Sequence, residues 1–254
     1  MPAVTFHPLT TLPLIAPGDD LGMLIAAAVA DEGLSLRDDD ILVVAQKIVS
    51  KSENCFVRLG DVVPSPAALA LAEKTDKDPR LVEVVLGDTA EVIRAVPGVL
   101  IVAHKLGFIS ANAGIDHSNV APDGEQLLLR LPADPDASAR ALRERLCALT
   151  GARPPVLIID SHGRPWRFGT VGVTIGVAGL VPVEDWRGRR DLFGTPLQYT
   201  EVGFADQVAA GASLLMGQAA EGAPAVVVRD LPFMPSETAR AADALRPVDR
   251  DLFR

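Results

Sequence analysis

Four polar clusters in this 254-residue chain carry side chains able to do chemistry, and each lies next to an apolar run. The first is Ser110-Ala111-Asn112-Ala113-Gly114-Ile115-Asp116-His117-Ser118-Asn119, whose small residues and glycine let the main chain come close to a ligand. Asp116 offers a hard oxygen to Mg²⁺ or Mn²⁺, and Asn119 a neutral amide. The same run would also serve as a plain turn. The second is Asp160-Ser161-His162-Gly163-Arg164, directly after Val156-Leu157-Ile158-Ile159. Here a carboxylate beside a hydroxyl can hold a divalent ion, and Arg164 or Arg167 can meet phosphate or carboxylate. A strand-ending turn is the plainer reading. In the third, Gln46-Lys47-Ile48-Val49-Ser50-Lys51-Ser52-Glu53, the two lysines can meet phosphates as point charges, although lysine more often simply faces solvent. The fourth, Met216-Gly217-Gln218-Ala219-Ala220-Glu221-Gly222-Ala223, is a helix-exit loop with two glycines, which an ordinary cap and turn would also explain.

Several common chemistries are excluded. There is no GxxxxGK[ST] loop, no HExxH and no GxSxG, and His7, His104, His117 and His162 are scattered. Gly169, Gly172, Gly176 and Gly179 do not form GxGxxG between a strand and a helix. Cys55 and Cys147 lie far apart with no CxxC pair, which argues against a disulfide framework or cysteine zinc site. The formal net charge is −9, which opposes a nucleic-acid surface. An acidic protein that holds a nucleoside triphosphate needs cations between its carboxylates and the phosphates. Neither a secretory signal nor an apolar run long enough to span a membrane is visible, so a cytoplasmic protein is expected.

The elements that would position these clusters follow from periodicity. Helices are predicted over Leu21 to Glu32, Pro66 to Thr75, Pro79 to Leu86, Pro135 to Leu149 and Val202 to Met216. Ser65-Pro66 and Asp78-Pro79 pair an N-cap with proline at the first helical position. Strands are predicted over Ile41 to Ala45, Ala90 to Val96, Val99 to His104, Phe108 to Ala111, Val156 to Ile159 and Ala225 to Arg229. Trp166 to Leu180, punctuated by glycine, reads as extended segments with close backbone approach. Asp38-Asp39-Asp40 reads as a solvated turn rather than a metal site. With 48% hydrophobic and 22% charged residues the chain packs as a globular protein. Its helices and strands do not strictly alternate, so the class is α+β. The expected domain covers residues 1–234, as one unit or two intertwined subdomains, followed by a weakly patterned tail, 235–254.

Taken together the segments resemble the coenzyme F420-0:L-glutamate ligase family, also called F420 gamma-glutamyl ligase. The resemblance rests on Leu12-Pro13-Leu14-Ile15 with Pro17-Gly18-Asp19-Asp20-Leu21, and on Ala45-Gln46-Lys47-Ile48-Val49-Ser50-Lys51. It continues in Ala111-Asn112-Ala113-Gly114-Ile115-Asp116 with Ser118-Asn119, in Asp160-Ser161 with Gly163-Arg164-Pro165-Trp166-Arg167, and in residues 216–222. It implies GTP-driven amide formation between F420-0 and L-glutamate through an acyl phosphate, a mixed α+β fold and an intertwined homodimer. By motif position Asp116, Asp160 and Lys51 would be catalytic, and Asp116, Asp160, Ser161 and Gln218 would hold two divalent ions, Mg²⁺ or Mn²⁺, with K⁺ as a further cation. Leu12, Pro13, Leu14, Ile15, Gln46, Lys51, Asn119, Met216, Gly217, Gln218, Ala219, Ala220, Glu221, Gly222 and Ala223 would contact GTP. Gln46 stands where some relatives have serine, Ser52-Glu53-Asn54 where Ala-Glu-Gly is commoner, and His162 where phenylalanine is frequent. The chain is expected to lack the nitroreductase-like domain that some relatives carry after this region. Two other readings stay open: a GTP- or metabolite-binding regulator without catalysis, and a ligase for another carboxylate cofactor.

Overall fold

The computed structural model describes residues 3–120 and 126–251. In chain order the elements begin with β1 (Thr5–Pro8), α1 (Leu21–Asp31), β2 (Ile41–Ala45), α2 (Gln46–Ser52), β3 (Phe56–Arg58), α3 (Pro66–Thr75) and α4 (Pro79–Asp88). There follow β4 (Thr89–Val96), β5 (Val99–His104), β6 (Ile109–Ala111), β7 (Leu127–Leu129) and α5 (Pro135–Thr150). The last third holds β8 (Val156–Arg164), β9 (Arg167–Leu180), β10 (Glu184–Asp185), β11 (Glu201–Val202), α6 (Phe204–Met216), β12 (Ala225–Arg229) and β13 (Pro235–Ser236). The class is α+β.

The main lobe is a six-stranded sheet in the order β1-β12-β2-β8-β9-β13, in which β2 and β8 pair in parallel. Where they pair, over Leu42–Ala45 and Val156–Ile159, both strands are apolar runs, as expected of strands covered on two faces. Period-two alternation divides their side chains. Leu42, Val44, Val156, Ile158, Ala225 and Val227 pack under α1, α2 and α5. Ile41, Val43, Leu157, Ile159, Val226 and Val228 pack under α6. A bulge in β9 lets that strand receive a helix closely on each face: Ile158 pairs with Gly176 but Ile159 with Thr174. A Cβ on Gly172 would lie 2.5 Å from Ala209 O of α6, and one on Gly176 would lie 2.5 Å from Pro135 O of α5. This is the close approach the glycine spacing anticipates.

The small lobe packs α3 and α4 on the β4-β5-β6 sheet around Ala68, Val82, Val85, Leu100, Val102 and Ala113. The β3–β7 ribbon lies beside it, with Leu128 buried against Leu59 and Val84. The prolines at helix starts behave as expected, with Ser65 Oγ accepting from Ala68 N at 3.2 Å and Asp78 Oδ1 from Arg80 N at 2.8 Å.

Some expectations are corrected. Helix α1 ends at Asp31 with Glu32 as its cap, and α4 runs through Gly87 to Asp88. Helix α6 starts at Phe204, because Val202 belongs to β11 and Gly203 is the cap. Asp40 is not in a solvated turn: it is fully buried and accepts 2.8 Å hydrogen bonds from Nε and Nη2 of Arg229. The largest correction concerns β8, which does not stop at Ile159 but continues through Asp160-Ser161-His162-Gly163 to Arg164, paired with β9.

After residue 234 the chain pairs with β9 through β13, and Glu237 meets Arg143 of α5 at 2.8 Å. Residues 1–2, 121–125 and 252–254, including the two ends of the expected domain and tail, lie outside the described residues. Among the described residues no helix is long and apolar enough to cross a membrane.

Candidate functional site

Helix α2 starts directly where β2 ends, so Gln46, Lys47, Ser50 and Lys51 gather at the C-terminal end of a central strand. Such strand ends in α/β layers are where ligand groups are commonly displayed. Spacing of four places Ser50 over Gln46 and Lys51 over Lys47. Gln46 is buried, and its amide bridges two neighbours. Its Oε1 accepts from Ser50 Oγ at 2.8 Å, and its Nε2 donates to Asp116 Oδ2 at 2.5 Å. Gln46, expected at GTP, thus serves Asp116 in this structure.

Asp116 arrives from the small lobe. Its main chain exchanges two 2.9 Å hydrogen bonds with Leu129 of β7. Upstream, Asn112, Ala113 and Gly114 all have left-handed φ, at 49°, 55° and 67°. For a non-glycine residue that conformation costs about 1–2 kcal/mol, so it persists only where packing dictates it. Ala113, fully buried in the small-lobe core, supplies that constraint.

The site combines charges of both signs at close quarters. Lys47 Nζ lies 3.5 Å from Asp116 Oδ1 and donates to Ser118 O at 3.0 Å. Burial pushes the Asp116 carboxyl above its usual range; Lys47 opposes this, and the negative charge of Asp160 adds to it. Burial likewise lowers the Lys51 ammonium, the charge of Lys47 lowers it further, and Asp116 opposes both. Asp116, Asp160, Lys47 and Lys51 therefore share one electrostatic neighbourhood. Gly114 touches Asp160 as well: a Cβ there would stand 3.3 Å from Asp160 Oδ2.

The remaining expected residues fall around this centre with differing fit. Asn119 Nδ2 donates to Ala219 O at 2.7 Å, which ties the loop after α6 to the Asp116 segment. In that loop Gln218, Ala219, Ala220, Glu221 and Gly222 are exposed, Met216 and Gly217 half-buried and Ala223 buried. Glu221 Oε2 accepts from Ala219 N at 2.8 Å. Pro13 and Leu14 are exposed, while Leu12 and Ile15 pack into the main-lobe core; the loop after them is joined to α2 through Gly18 N donating to Ser52 O. Ser161 does not join Asp160. It follows Asp160 in β8 and pairs with Gly172, so its side chain faces the α6 side of the sheet.

Sequence reasoning missed two partners. Lys47 is the cation on Asp116, and its spacing of four from Lys51 on a helix signalled a shared face. His162 Nε2 lies 3.1 Å from Asp160 Oδ2, and a strand carried past Ile159 would have placed the two on one side.

Could these residues hold a divalent ion? Among the described residues no three His, Cys, Asp or Glu side chains converge as a ready metal cage. Mg²⁺ is commonly held by one or two carboxylates with substrate phosphates and water completing its shell. Asp116, paired with Lys47, and Asp160, beside His162, fit that second mode.

The comparisons with known proteins concern the whole of this framework. A family model described as F420-0:Gamma-glutamyl ligase matches residues 10–230. The chain belongs to the F420-0:gamma-glutamyl ligase family. It is accordingly an enzyme of the ligase class. Relatives named coenzyme F420:L-glutamate ligase include one from Methanothermobacter thermautotrophicus, 47% identical over 244 residues and 96% of each chain. One from Methanopyrus kandleri is 43% identical over 259 residues, covering 100% of this chain and 99% of the relative. One from Archaeoglobus fulgidus is 44% identical over 228 residues, covering 90% and 88%.

Proposed function

We propose that this chain joins L-glutamate to coenzyme F420-0 through an amide bond, driven by GTP. Family membership and the names of its relatives support the substrate pair. The single structural observation that carries the mechanism is the meeting of Asp116 with Gln46 and Lys47 at the end of β2, on a segment whose Gly114 adjoins Asp160 of β8.

A free carboxylate is a poor acylating agent, because its oxygen is a poor leaving group. In the proposed reaction an oxygen of the F420-0 carboxylate attacks the γ-phosphorus of GTP, and the bond to the β-phosphate oxygen breaks to release GDP. The amine of glutamate then attacks the acyl carbon. Phosphate departs with the bonding pair, and the amine nitrogen gives up a proton. Both steps depend more on positioning and charge neutralisation than on covalent help from the protein.

Lys51 and Lys47 supply positive charge toward the triphosphate. Burial lowers the half-buried Lys51 ammonium, and an anion beside it would favour its charged form. Asp116 and Asp160 would hold divalent ions, Mg²⁺ or Mn²⁺, which would offset the negative charge of the phosphates. Gln46 and Ser50 hold Asp116 in orientation. Asn119 keeps the 216–223 loop near the phosphates, where Leu12 to Ile15 and that loop would enclose the nucleotide. Gln218, exposed in the same loop, is proposed as a further ligand, whereas Ser161, turned to the α6 side of the sheet, is left out of the proposed set.

We also propose the intertwined homodimer of the family. Its support is the apolar tip of the β8–β9 hairpin, where Trp166 and Phe168 are 87% and 105% exposed. Light scattering on the purified chain tests it: a monomer at micromolar concentration overturns it.

The deciding assay incubates the protein with F420-0, GTP, L-glutamate and Mn²⁺ and follows the deazaflavin by mass spectrometry. The expected result is one added glutamyl residue per GDP released. GTP binding with no amide product from any deazaflavin precursor would instead favour a regulator.

A further inference from the structure

We propose that His162 is a positioning residue that fixes the Asp160 carboxylate. This rests on the reading of Asp160 as a ligand for a divalent ion, and it concerns a residue that the ligand set inferred above does not include.

Three observations carry it. First, His162 is two residues beyond Asp160 in β8, so both side chains stand on one face of the sheet, with His162 Nε2 3.1 Å from Asp160 Oδ2. A carboxylate only accepts, so Nε2 is the donor. Second, both side chains are largely enclosed, at 8% and 12% exposure, so the contact is little diluted by water. Among the described ion pairs Asp116 has a lysine, whereas Asp160 has only this imidazole.

Third, the imidazole is itself wedged in place. Phe108 packs on His162 with ring centroids 5.1 Å apart and stacks on His104 at 4.9 Å. His104 is in turn fixed by Leu106 N, which donates to its Nδ1 at 2.9 Å. The three rings form a column that sets the direction of the His162 N–H. A hydrogen bond to one carboxylate oxygen fixes the carboxylate plane and leaves the other oxygen to face the site. Partners of this kind behind a metal ligand typically contribute 10- to 100-fold in metal affinity.

The test measures Mn²⁺ binding to the whole protein, with and without GDP, by the electron paramagnetic resonance signal of free Mn²⁺. His162→Phe keeps a ring against Phe108 and removes the N–H, and His162→Met removes the N–H with a flexible, ring-free side chain. His162→Gln restores a donor, and Asp160→Asn removes the ligand. The expected result is Mn²⁺ dissociation constants raised about tenfold in His162→Phe and His162→Met and recovered in His162→Gln. The Mn²⁺ concentration for half-maximal turnover moves by the same factor, while kcat at saturating Mn²⁺ holds. Wild-type Mn²⁺ affinity in a folded His162→Phe or His162→Met, alongside lost affinity in Asp160→Asn, overturns the positioning role alone. Wild-type affinity in Asp160→Asn overturns the ligand reading beneath it.

Discussion

Gly114 and Asp160 belong to different lobes yet meet directly: a methyl group on Gly114 would sit 3.3 Å from Asp160 Oδ2 and 2.9 Å from Leu131 Cδ1. Gly114 also has a φ of 67°. Gly114→Ala therefore strains the backbone by about 1–2 kcal/mol and crowds the carboxylate at once. Urea unfolding is expected to show that loss, and steady-state assays a larger proportional loss of kcat than of nucleotide affinity. Unchanged kcat would separate this contact from catalysis.

Asp116→Asn is expected to remove at least about 10²-fold of turnover, the scale for losing one preorganised electrostatic contact. It should not unfold the protein. The ionised Asp116 is disfavoured by burial and by Asp160, so its neutral replacement relieves a strain of the folded state. Thermal melting at pH 7.5 should give a Tm equal to or above that of the parent. A marked fall in Tm would show that Lys47 and Gln46 depend on the negative charge for folding.

Asn119→Ala cuts the bond to Ala219 O that ties the 216–223 loop to the Asp116 segment. The KM for GTP is expected to rise several-fold with little change in stability, as read from steady-state kinetics and melting on the same sample. An unchanged KM would place the nucleotide away from this loop.

His104 gives a pH dependence of stability. Burial, its largest influence, holds its pKa below the ordinary 6.5. Above 6.5 the ring is neutral in both folded and unfolded chains, and its share of stability is intact. As pH falls from 6.5 toward the lowered folded value, the unfolded chain takes up the proton first and that share is lost. His104→Asn keeps an acceptor for Leu106 N but does not titrate. Urea midpoints between pH 7.5 and pH 5 should therefore fall less steeply for the variant. Parallel slopes would assign the acid sensitivity elsewhere.

Glu237→Ala tests how firmly the last segment is joined to the main lobe. Arg143, 9% exposed, receives both Glu237 oxygens at its Nη1 and donates from Nε to Pro154 O at 3.1 Å. Removing the carboxylate leaves a buried guanidinium short of an acceptor, a loss of about 1–3 kcal/mol by chemical denaturation. No change would mean that water replaces Glu237 freely.

Much of the scaffold was legible because single local causes fixed it. Ser65-Pro66 and Asp78-Pro79 announced their helices, and the two runs Ile41 to Val44 and Val156 to Ile159 announced the central strands. The glycines of β9 announced close approach, though not that the Ile175 bulge would send Gly172 and Gly176 to opposite helices. The continuation of β8 was hidden because Asp160-Ser161-His162-Gly163 has no apolar alternation; its pairing comes from residues 170–173 of β9. That one boundary concealed both the partnership of His162 with Asp160 and the separation of Ser161 from it. Helix α2 was hidden by its shortness, and the meeting of Gln46 with Asp116 by a sequence separation that only the packing of two lobes can close.

Since Asp116 rides on the smaller lobe and Asp160 on the larger, like charges lean on each other across the junction, with Lys47 of the larger lobe bracing one of them. Bringing the lobes together therefore works against ionisation of Asp116, and a positive charge placed between the two carboxylates would offset that.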